Sequence, residues 1–403
     1  MRVVQINCVY KKGSTGKIVF DLHEYYTQNG IDSYVVYGRG KKTDSERVYK
    51  CASEFSSKIR NGISRYTGNI YGMGKRGLGR TMAYLKKLRP DVVHLQCING
   101  FFIDIYGLLK YLKKQNIPTL LTLHAEFMHT GNCGYAFDCE QWNTGCQDCE
   151  NPKDAIGCSR KSAPAKNWKK MQAAFKGFQT LRVVGVSDWI SNRAKRSAIL
   201  KAFPITTVLN GLDDTIFRYD EGELYPSIKK ARSRGEKTVL FVSPYFEDEN
   251  KGGRHVLRLI EEMKEEKIRF IVVGNAAQEY NYENAEFIGC VSDQKDLARW
   301  YSQADVCLLA SRQESFSMIT AESLCCGTPI VGFEAGAPEG IAIQEYSDFV
   351  PYGDTERLKQ SLLKRLKEPT NKEEISKVAR AKYAKETMAK NYVKEYEKLL
   401  SKE

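Results

Sequence analysis

The segment that decides the fold is residues 306–332, VCLLASRQESFSMITAESLCCGTPIVG. The apolar run Val306–Leu309 predicts a buried strand, and the apolar residues from Met318 onward fit a buried helix. A Gly-Thr-Pro sequence at Gly327 ends that helix, and Ile330–Gly332 predicts the next strand. A strand, a helix and a strand in this order indicate a parallel βαβ unit.

The same alternation continues through most of the chain, with short β-branched runs separated by amphipathic stretches of helix length. In the first half the predicted strands are Arg2–Asn7, Ser33–Tyr37, Val92–Leu95, Thr119–Leu123, Leu181–Val186 and Thr206–Leu209. The pattern restarts after the polar stretch Arg218–Lys237, with further strands at Thr238–Val242, Arg269–Val273 and Glu286–Ile288. The sequence therefore predicts two successive doubly wound α/β domains with a cleft between them. The residues from about Asn371 onward predict one or two helices.

Positive charge is concentrated in the first half of the chain. The net charge is +13 overall, but residues 1–200 carry +17 and the remainder carries −4. Ser57–Pro90 holds nine basic residues and no acid. A field of this sign favours phosphate-rich partners such as nucleic acid, anionic lipid or a diphosphate-linked substrate. Solvated basic helix faces are the alternative explanation of the same charge.

The longest apolar runs are far shorter than the roughly 20 residues that a membrane-spanning helix needs. The first residues, MRVVQINCVY, lack the basic and apolar regions of a secretory signal, so we expect a cytoplasmic location. Because the cytoplasm is reducing, the twelve cysteines need an explanation other than routine disulfides.

Two candidate ligand loops follow predicted strands. Near the N-terminus, Gly13 and Gly16 lie at a strand-to-helix turn, where free N–H groups attract a phosphate or a sugar hydroxyl. The spacing excludes a P-loop, and a simple tight turn is the alternative. In the second half, Glu314 lies in the turn before a helix and Glu322 about five residues into it. A diphosphate could rest on the amides of Phe316, Ser317, Met318 and Ile319, with a carboxylate on each side. A helix cap by Glu314 and a salt bridge by Glu322 explain the same spacing.

The two glutamates, separated by seven residues and followed by CCGTPIV, resemble the E-x7-E signature of retaining glycosyltransferases of family 4, which have the GT-B fold. Asn210–Phe217, NGLDDTIF, resembles the family's N-G-[VL]-D-x-x-x-F element, and Lys251-Gly252 resembles its K-G pair. His124 ends a strand as T-L-H, where the family usually has T-x-H-D. The order of these elements matches the family along nearly the whole chain.

The resemblance implies a fold of two Rossmann-like domains facing across a cleft. The expected bounds are 1–216 for the acceptor-side domain, 217–384 for the nucleotide-sugar domain, and 385–403 for a C-terminal helix that returns to the first domain. Lys251 would neutralise the nucleotide diphosphate, Glu322 would hold the ribose and Glu314 the transferred sugar. The amides of residues 316–319 would bind phosphate or sugar oxygens, and His124 would stand near the anomeric carbon. A lysine and a helix N-terminus can stabilise the leaving diphosphate, so no catalytic cofactor is expected.

Three positions depart from the family pattern. Ser243-Pro244-Tyr245 occupies the region where an arginine is common, Ser315 and Ser317 replace two glycines, and Ala125 replaces the aspartate after His124. These changes leave open the second phosphate-binding cation, the sugar contacts and the orientation of the imidazole.

A cysteine-rich segment, residues 129–158, interrupts the α/β pattern. Cys133, Cys139, Cys146 and Cys149 have the spacing C-x5-C-x6-C-x2-C. Four thiolates with a terminal C-x2-C suit a structural zinc site, with free thiols or disulfides as alternatives. We expect the segment to shape the acceptor side of the cleft.

The resemblance implies a UDP- or GDP-sugar donor and a glycan acceptor, lipid-linked or soluble, in the assembly of a bacterial capsule, exopolysaccharide or O-antigen. A lipid-linked acceptor would require peripheral attachment to the inner, anionic face of the membrane. Within Ser57–Pro90, the apolar residues expected at the lipid headgroups are Ile59, Ile63, Tyr66, Ile70, Tyr71 and Met73. A solvated helical hairpin is the alternative.

Two other functions remain open from the sequence. A GT-B-shaped sugar-nucleotide epimerase would need further acid–base groups in the first domain, where His94 and His124 are the two histidines at strand ends. A nucleic-acid-binding protein fits the charge, but the basic and aromatic residues form no recognition motif. We therefore expect no nucleic-acid partner.

Overall fold

A computed structural model of the chain describes residues 1–147, 149 and 163–401. The chain divides into two compact units, Met1–Leu209 with Met388–Glu403, and Asn210–Thr387. No helix among the described residues is long and apolar enough to cross a bilayer.

The first unit contains a seven-stranded parallel sheet. Its strands are β1 (Arg2–Asn7), β2 (Asp32–Tyr37), β3 (Val48–Lys50), β4 (Val92–Leu95), β5 (Thr119–Leu123), β6 (Leu181–Gly185) and β7 (Ile205–Thr207). Their order is β3-β2-β1-β4-β5-β6-β7, which reverses direction between β1 and β4. The helices are α1 (Gly13–Gln28), α2 (Glu54–Thr67), α3 (Lys75–Leu88), α4 (Ile105–Lys114), α5 (Pro164–Phe175) and α6 (Asp188–Arg196), with short 3₁₀ turns at Glu126–Met128 and Gln141–Asn143.

The second unit contains a six-stranded parallel sheet. Its strands are β8 (Lys237–Tyr245), β9 (Ile268–Asn275), β10 (Ala285–Gly289), β11 (Val306–Leu309), β12 (Ile330–Phe333) and β13 (Ser347–Val350). Their order is β10-β9-β8-β11-β12-β13, with the reversal between β8 and β11. The helices are α7 (Pro226–Ser233), α8 (Gly253–Glu262), α9 (Gln294–Gln303), α10 (Met318–Cys325), α11 (Pro338–Ile341), α12 (Thr355–Lys367) and α13 (Lys372–Tyr383), and a 3₁₀ turn spans Gln344–Tyr346. The prediction of two doubly wound α/β domains is confirmed.

The last helix, α14 (Lys385–Ser401), contributes most of its length to the first unit. Its buried side chains Met388, Tyr392 and Tyr396 pack in one apolar cluster with residues of β1 and α1, among them Val3 and Leu22. Each of these side chains is almost completely removed from water. The helix is therefore part of the first unit's hydrophobic core.

The division between the units falls at Leu209/Asn210, seven residues before the expected bound at 216/217. The reason is a short parallel pairing between Leu212 and Ala384. The Leu212 N–H donates to Tyr383 O at 2.8 Å, and the Lys385 N–H donates to Leu212 O at 2.9 Å. Lys385 Nζ also contacts Asp213 Oδ2 at 2.7 Å. These contacts place the NGLD element in the second unit.

Candidate active site

The carboxyl ends of β8 and β11 carry the loops that hold Lys251 and Glu314. These strands are neighbours at the point where the strand order reverses, which is where open α/β sheets bind ligands. The side chain of Asn250 joins the two loops, because it accepts from Gln313 N and donates to Gln313 O, both at 3.0 Å. Lys251 Nζ lies 2.6 Å from Glu314 Oε1. Both side chains are mostly buried, at 21% and 11% exposure. The structure thus brings two of the predicted site residues into direct contact.

Gly252 explains why a glycine follows this lysine. Its φ of 73° lies in the left-handed region, and a Cβ there would lie 2.0 Å from the carbonyl oxygen of Ala310. Any side chain would therefore push the loop away from the end of β11. The close approach fixes the backbone position of Lys251 against the turn that carries Glu314.

The turn at Glu314 is also held from its other side. Glu314 N donates to Ala335 O at 2.8 Å. The carboxylate of Glu339 accepts from Ala335 N at 3.1 Å and from Gly336 N at 2.9 Å. Glu339 was not predicted from the sequence, because its role depends on a loop that follows a different strand. Together these bonds fix the backbone beside the Lys251–Glu314 pair.

The N-terminus of α10 is capped by one of the serines that replace the family's glycines. Ser317 has φ 75°, a backbone conformation that a glycine adopts more easily. Its Oγ accepts from Thr320 N at 3.2 Å, so the hydroxyl is turned into its own helix. The amides of Met318 and Ile319 precede the first bond within the helix and lie at the positive end of its dipole. Both residues are partly exposed, whereas Phe316 is buried and can offer only its backbone.

Glu322 lies on α10, one turn beyond the helix start. The hydroxyl of Tyr301, on α9, donates to Glu322 Oε2 at 3.1 Å. Burial raises the pKa of Tyr301 well above its ordinary value, so this hydroxyl remains a donor at all physiological pH. Tyr301 therefore orients the carboxylate that was predicted to bind ribose. Tyr301 could not be predicted from the sequence, because the contact joins two helices.

In the first unit, His124 directly follows β5, and its imidazole is oriented by a residue from the neighbouring strand. Its Nε2 lies 2.7 Å from Oε1 of Gln96, which follows the end of β4. Burial lowers the pKa of His124 to about 4, so the ring is neutral at pH 7. Nε2 must then carry the proton that it donates to the amide oxygen. Gln96 thus provides an orientation that the sequence, with Ala125 after His124, had left open.

The glycine turn near the N-terminus joins β1 to α1, beside the reversal point of the first sheet. Gly13 has φ 66° and begins α1, and the Lys11 N–H donates to Gly16 O at 3.0 Å. Gly16 is buried, and an added Cβ would lie 3.1 Å from the Val9 side chain. Gly13 is exposed. The geometry fits both a tight turn and a ligand loop.

The four cysteines of the predicted zinc site line one small cavity in the first unit, together with Trp142. Gly131 N donates to the Cys146 sulfur at 3.3 Å. Burial, followed by the neighbouring thiols, raises the pKa of Cys133. Residues 148 and 150–162, including Cys158, lie outside the described part. Within the described part, no group of three or more His, Cys, Asp or Glu residues forms a site for a metal ion. The zinc hypothesis therefore stays a prediction.

The second unit thus offers a lysine, a helix N-terminus and two carboxylates around the carboxyl edge of one sheet. A cation with free backbone amides can bind a diphosphate, and carboxylates accept hydrogen bonds from hydroxyls. Two doubly wound units with such a site on the second are the architecture of GT-B glycosyltransferases.

Comparison with known proteins identifies the family. Residues 15–215 match the family model described as "Glycosyltransferase Family 4", and residues 236–368 match "Glycosyl transferases group 1". The chain belongs to the family 4 glycosyltransferases, and it is an enzyme of the hexosyltransferase class. The family expected from the sequence is confirmed.

Relatives and solved structures agree over nearly the full length. The chain is 21% identical to a putative colanic acid biosynthesis glycosyl transferase, WcaC, of Escherichia coli, over 99% of this chain and all of the relative. It is 27% identical to an uncharacterized 41.2 kDa protein in the cps region of Klebsiella pneumoniae, over 96% of each chain. Sucrose-phosphate synthase from Thermosynechococcus elongatus superposes with a TM-score of 0.72 over the whole of both chains at 17% identity. Anabaena HepE in complex with UDP-glucose gives 0.61 over 98% of both chains at 13% identity. The structural matches support the GT-B fold.

Proposed function

We propose that the second unit binds a nucleotide-sugar donor, UDP- or GDP-linked, around Lys251 and the N-terminus of α10. The observation that carries this proposal is the Lys251–Glu314 contact of 2.6 Å at the reversal point of the sheet. In this proposal Lys251 binds the diphosphate and Glu322, oriented by Tyr301, binds the ribose hydroxyls. The amides of Met318 and Ile319 bind phosphate oxygens. The structures of Anabaena HepE in complex with UDP and with UDP-glucose support this class of donor.

We propose that the sugar is transferred with retention of its anomeric configuration. Cleavage of the sugar–diphosphate bond builds negative charge on the leaving phosphate. Lys251 and the dipole of α10 stabilise that charge, so no catalytic metal or cofactor is required. Glu314 accepts hydrogen bonds from hydroxyls of the transferred sugar and holds Lys251 in place. His124, neutral and with its Nε2 proton donated to Gln96, would stand near the anomeric carbon of the transferred sugar.

The acceptor we propose is a glycan on a lipid carrier, at the cytoplasmic face of the membrane, in the assembly of a bacterial surface polysaccharide. The names of the two full-length relatives, one for colanic acid biosynthesis and one from a cps region, support this type of pathway. The net charge of +17 on residues 1–200 supports an anionic membrane partner. Nucleic acid is not a partner in this proposal.

The arrangement of the histidines disfavours the epimerase alternative. His94 is fully buried and hydrogen-bonds Tyr396 Oη at 2.7 Å and Thr122 Oγ1 at 2.8 Å. Burial lowers the pKa of this ring well below its ordinary value. A buried neutral histidine with both nitrogens occupied serves the core rather than a substrate. His124 is then the remaining strand-end histidine for acid–base chemistry in the first domain.

The test is incubation with UDP- and GDP-hexoses and a bacterial lipid extract, followed by NMR of the product. The proposal expects a new glycosidic bond with the anomeric configuration of the donor, at an unchanged rate when EDTA is present. An inverted product would contradict retention, and release of a free epimerised sugar or nucleotide sugar would support the epimerase instead.

A further inference from the structure

Helix α2 has its amphipathic character reversed. A surface helix normally buries its apolar stripe and exposes its polar face. In α2 the fully buried side chains are Ser57 and Ser64. The large apolar side chains are on the outside: Phe55 is 75% exposed, Ile59 47%, Ile63 46% and Tyr66 63%. These four recur at i, i+4, i+8 and i+11, so they form one stripe, called here the apolar face.

Exposed apolar side chains are otherwise scattered over the described residues. The other large hydrophobics with comparable exposure are Met1, Tyr245, Val378 and Leu400, which lie in separate parts of the chain. A contiguous apolar stripe rimmed by polar residues marks an interaction surface, whereas single exposed side chains need no explanation. Within the described surface, we therefore expect the apolar face to bind a partner.

A pocket with cationic walls lies beside the apolar face. Its basic lining residues come from α2 and α3, namely Arg60, Lys75, Arg76 and Arg80, and no acidic residue lines it. The guanidinium of Arg60 is fixed by Phe101 O at 2.6 Å and by Ser56 Oγ at 3.1 Å. This set is called here the basic pocket.

The acid nearest in sequence does not cancel this charge. Glu54, at the start of α2, forms an ion pair with Arg39 at 2.5 Å and accepts from Gly40 N at 3.1 Å. The Arg39 contact lowers the pKa of Glu54 to about 2, so the carboxylate is committed to that pair. Lys58 and Arg65 are exposed on the same helix and add to the positive rim.

We propose that the apolar face and the basic pocket dock the enzyme on an anionic lipid bilayer. Phe55, Ile59, Ile63 and Tyr66 enter the boundary between headgroups and acyl chains, and the basic pocket receives the phosphate of an anionic headgroup. The chemistry of this surface indicates such a partner. The four cations of the basic pocket complement the anionic headgroups, and the neighbouring apolar face matches the acyl chains beneath them. The inference rests on the proposed lipid-linked acceptor and defines the surface that reaches it.

The structure corrects part of the expected membrane surface. Ile70 and Tyr71, which the sequence placed at the headgroups, are 2% and 3% exposed. The Tyr71 hydroxyl donates to Asn132 O at 3.0 Å inside the unit. Phe55, which precedes the stretch Ser57–Pro90, takes their place on the outside. The surface is thus the outward face of one helix rather than the whole stretch.

The test is sedimentation of the full chain with vesicles of phosphatidylcholine, with or without phosphatidylglycerol. Wild-type protein should bind the anionic vesicles at least about tenfold more tightly than the neutral ones at low salt, and this preference should fall steeply as salt rises. The variant Phe55→Ser/Ile59→Ser/Ile63→Ser/Tyr66→Ser should lose about tenfold or more of its binding, as should Lys75→Ser/Arg76→Ser/Arg80→Ser.

Matched controls remove equivalent side chains elsewhere. Val378→Ser/Leu400→Ser removes exposed apolar groups, and Lys229→Ser/Lys230→Ser/Lys267→Ser removes three exposed cations; both should bind like wild type. Equal binding by the apolar-face and basic-pocket variants and their controls overturns the proposal. A wild-type dimer that the α2 variant abolishes, with vesicle binding unchanged, assigns the face to a second copy instead. Titration of UDP and GDP into the same variants should show unchanged affinity, which separates failure of this surface from failure of the donor site.

Discussion

At the residue scale, the candidate donor site depends on contacts that preset its charged groups. Lys251 is held by Glu314, and Glu322 is held by Tyr301. In each pair, the second residue fixes the position of the first, which the sequence had predicted as a site residue. The Lys251–Glu314 pair also implies competition, because a bound diphosphate must share Lys251 with the carboxylate.

This competition predicts a separation of binding from turnover in Glu314→Gln. The amide keeps the shape of the side chain but no longer holds Lys251 by charge. Affinity for free nucleoside diphosphate should therefore stay within about threefold of wild type or become tighter, while kcat falls about a hundredfold. Calorimetric titration and steady-state kinetics measure the two effects. Glu334→Gln, an exposed neighbour after β12, is the control, and full turnover by Glu314→Gln would remove this residue from the site.

The sequence predicted the charged residues of the site better than the groups that orient them. The spacing of Glu314 and Glu322 marked them as candidates, and the resemblance to the family's motifs added Lys251 and the expected role of each residue. Tyr301 and Gln96 could not be found in this way, because their hydrogen bonds join elements that are distant in sequence. A polar residue immediately after a buried strand, as Gln96 is after β4, was the one local signal for such a role.

At the element scale, α14 is fixed to the first unit by a buried polar network as well as by apolar packing. The Tyr396 hydroxyl lies 2.7 Å from His94 Nδ1 and 3.0 Å from the Tyr26 hydroxyl. All three side chains are completely buried. Removal of a partner from such a network leaves the remaining polar groups without compensation for their lost hydration.

Tyr396→Phe should therefore destabilise the first unit by about 1–3 kcal/mol. The change removes a single oxygen, so the packing of the ring is kept. The midpoint of urea unfolding measures the loss. Tyr282→Phe is the matched control, since that hydroxyl makes one exposed contact to Glu261 at 3.4 Å and should cost little. Equal midpoints for the two variants would contradict a structural role for the network.

The cysteine-lined cavity gives a second prediction at this scale. If zinc binds Cys133, Cys139, Cys146 and Cys149, protein purified under reducing conditions should contain about one equivalent, and Cys146→Ser should release it. Cys290→Ser changes an exposed cysteine outside the cavity and should keep the metal. Metal-free wild-type protein of normal stability would show that packing alone holds the segment.

Most elements could be predicted, and those that were missed lie at sheet edges. The central strands β1, β4, β5 and β11 match their predicted bounds, because strands buried on both faces form continuous apolar runs. Strands β3 and β13 are the outer strands of their sheets. Their sequences, VYK and SDFV, are short and partly polar, so periodicity alone could not reveal them.

At the scale of the whole molecule, buried histidines make the stability of the first unit sensitive to acid. The first unit holds three histidines whose pKa burial lowers: His23 and His124 to about 4, and His94 well below its ordinary value. The unfolded chain binds protons at these residues near pH 6.5, whereas the folded unit remains neutral. The free energy of unfolding therefore falls as the pH decreases from about 6.5 toward 4.

Thermal unfolding should show this loss of stability at a higher pH than the one at which the carboxylates begin to contribute. The melting temperature of the first unit should drop between pH 7 and about pH 5, because carboxylates with lowered pKa values, such as Glu54 at about 2, titrate at lower pH. His23→Gln should flatten the slope, since one of the three protons is then no longer taken up on unfolding. A melting temperature that is constant between pH 7 and 5 would contradict the assignment of neutral buried histidines.

In the proposed donor site, the second unit binds a nucleoside diphosphate through Lys251, Glu322 and the amides at the start of α10. The most direct measurement is calorimetric titration of UDP and GDP into the wild type, Lys251→Ala and Glu322→Ala, with folding checked by thermal unfolding. We predict saturable binding of one of the two nucleotides by the wild type and a loss of at least about tenfold in affinity in each variant, close to 1.4 kcal/mol. Wild-type affinity for the nucleotide in both variants would contradict the account.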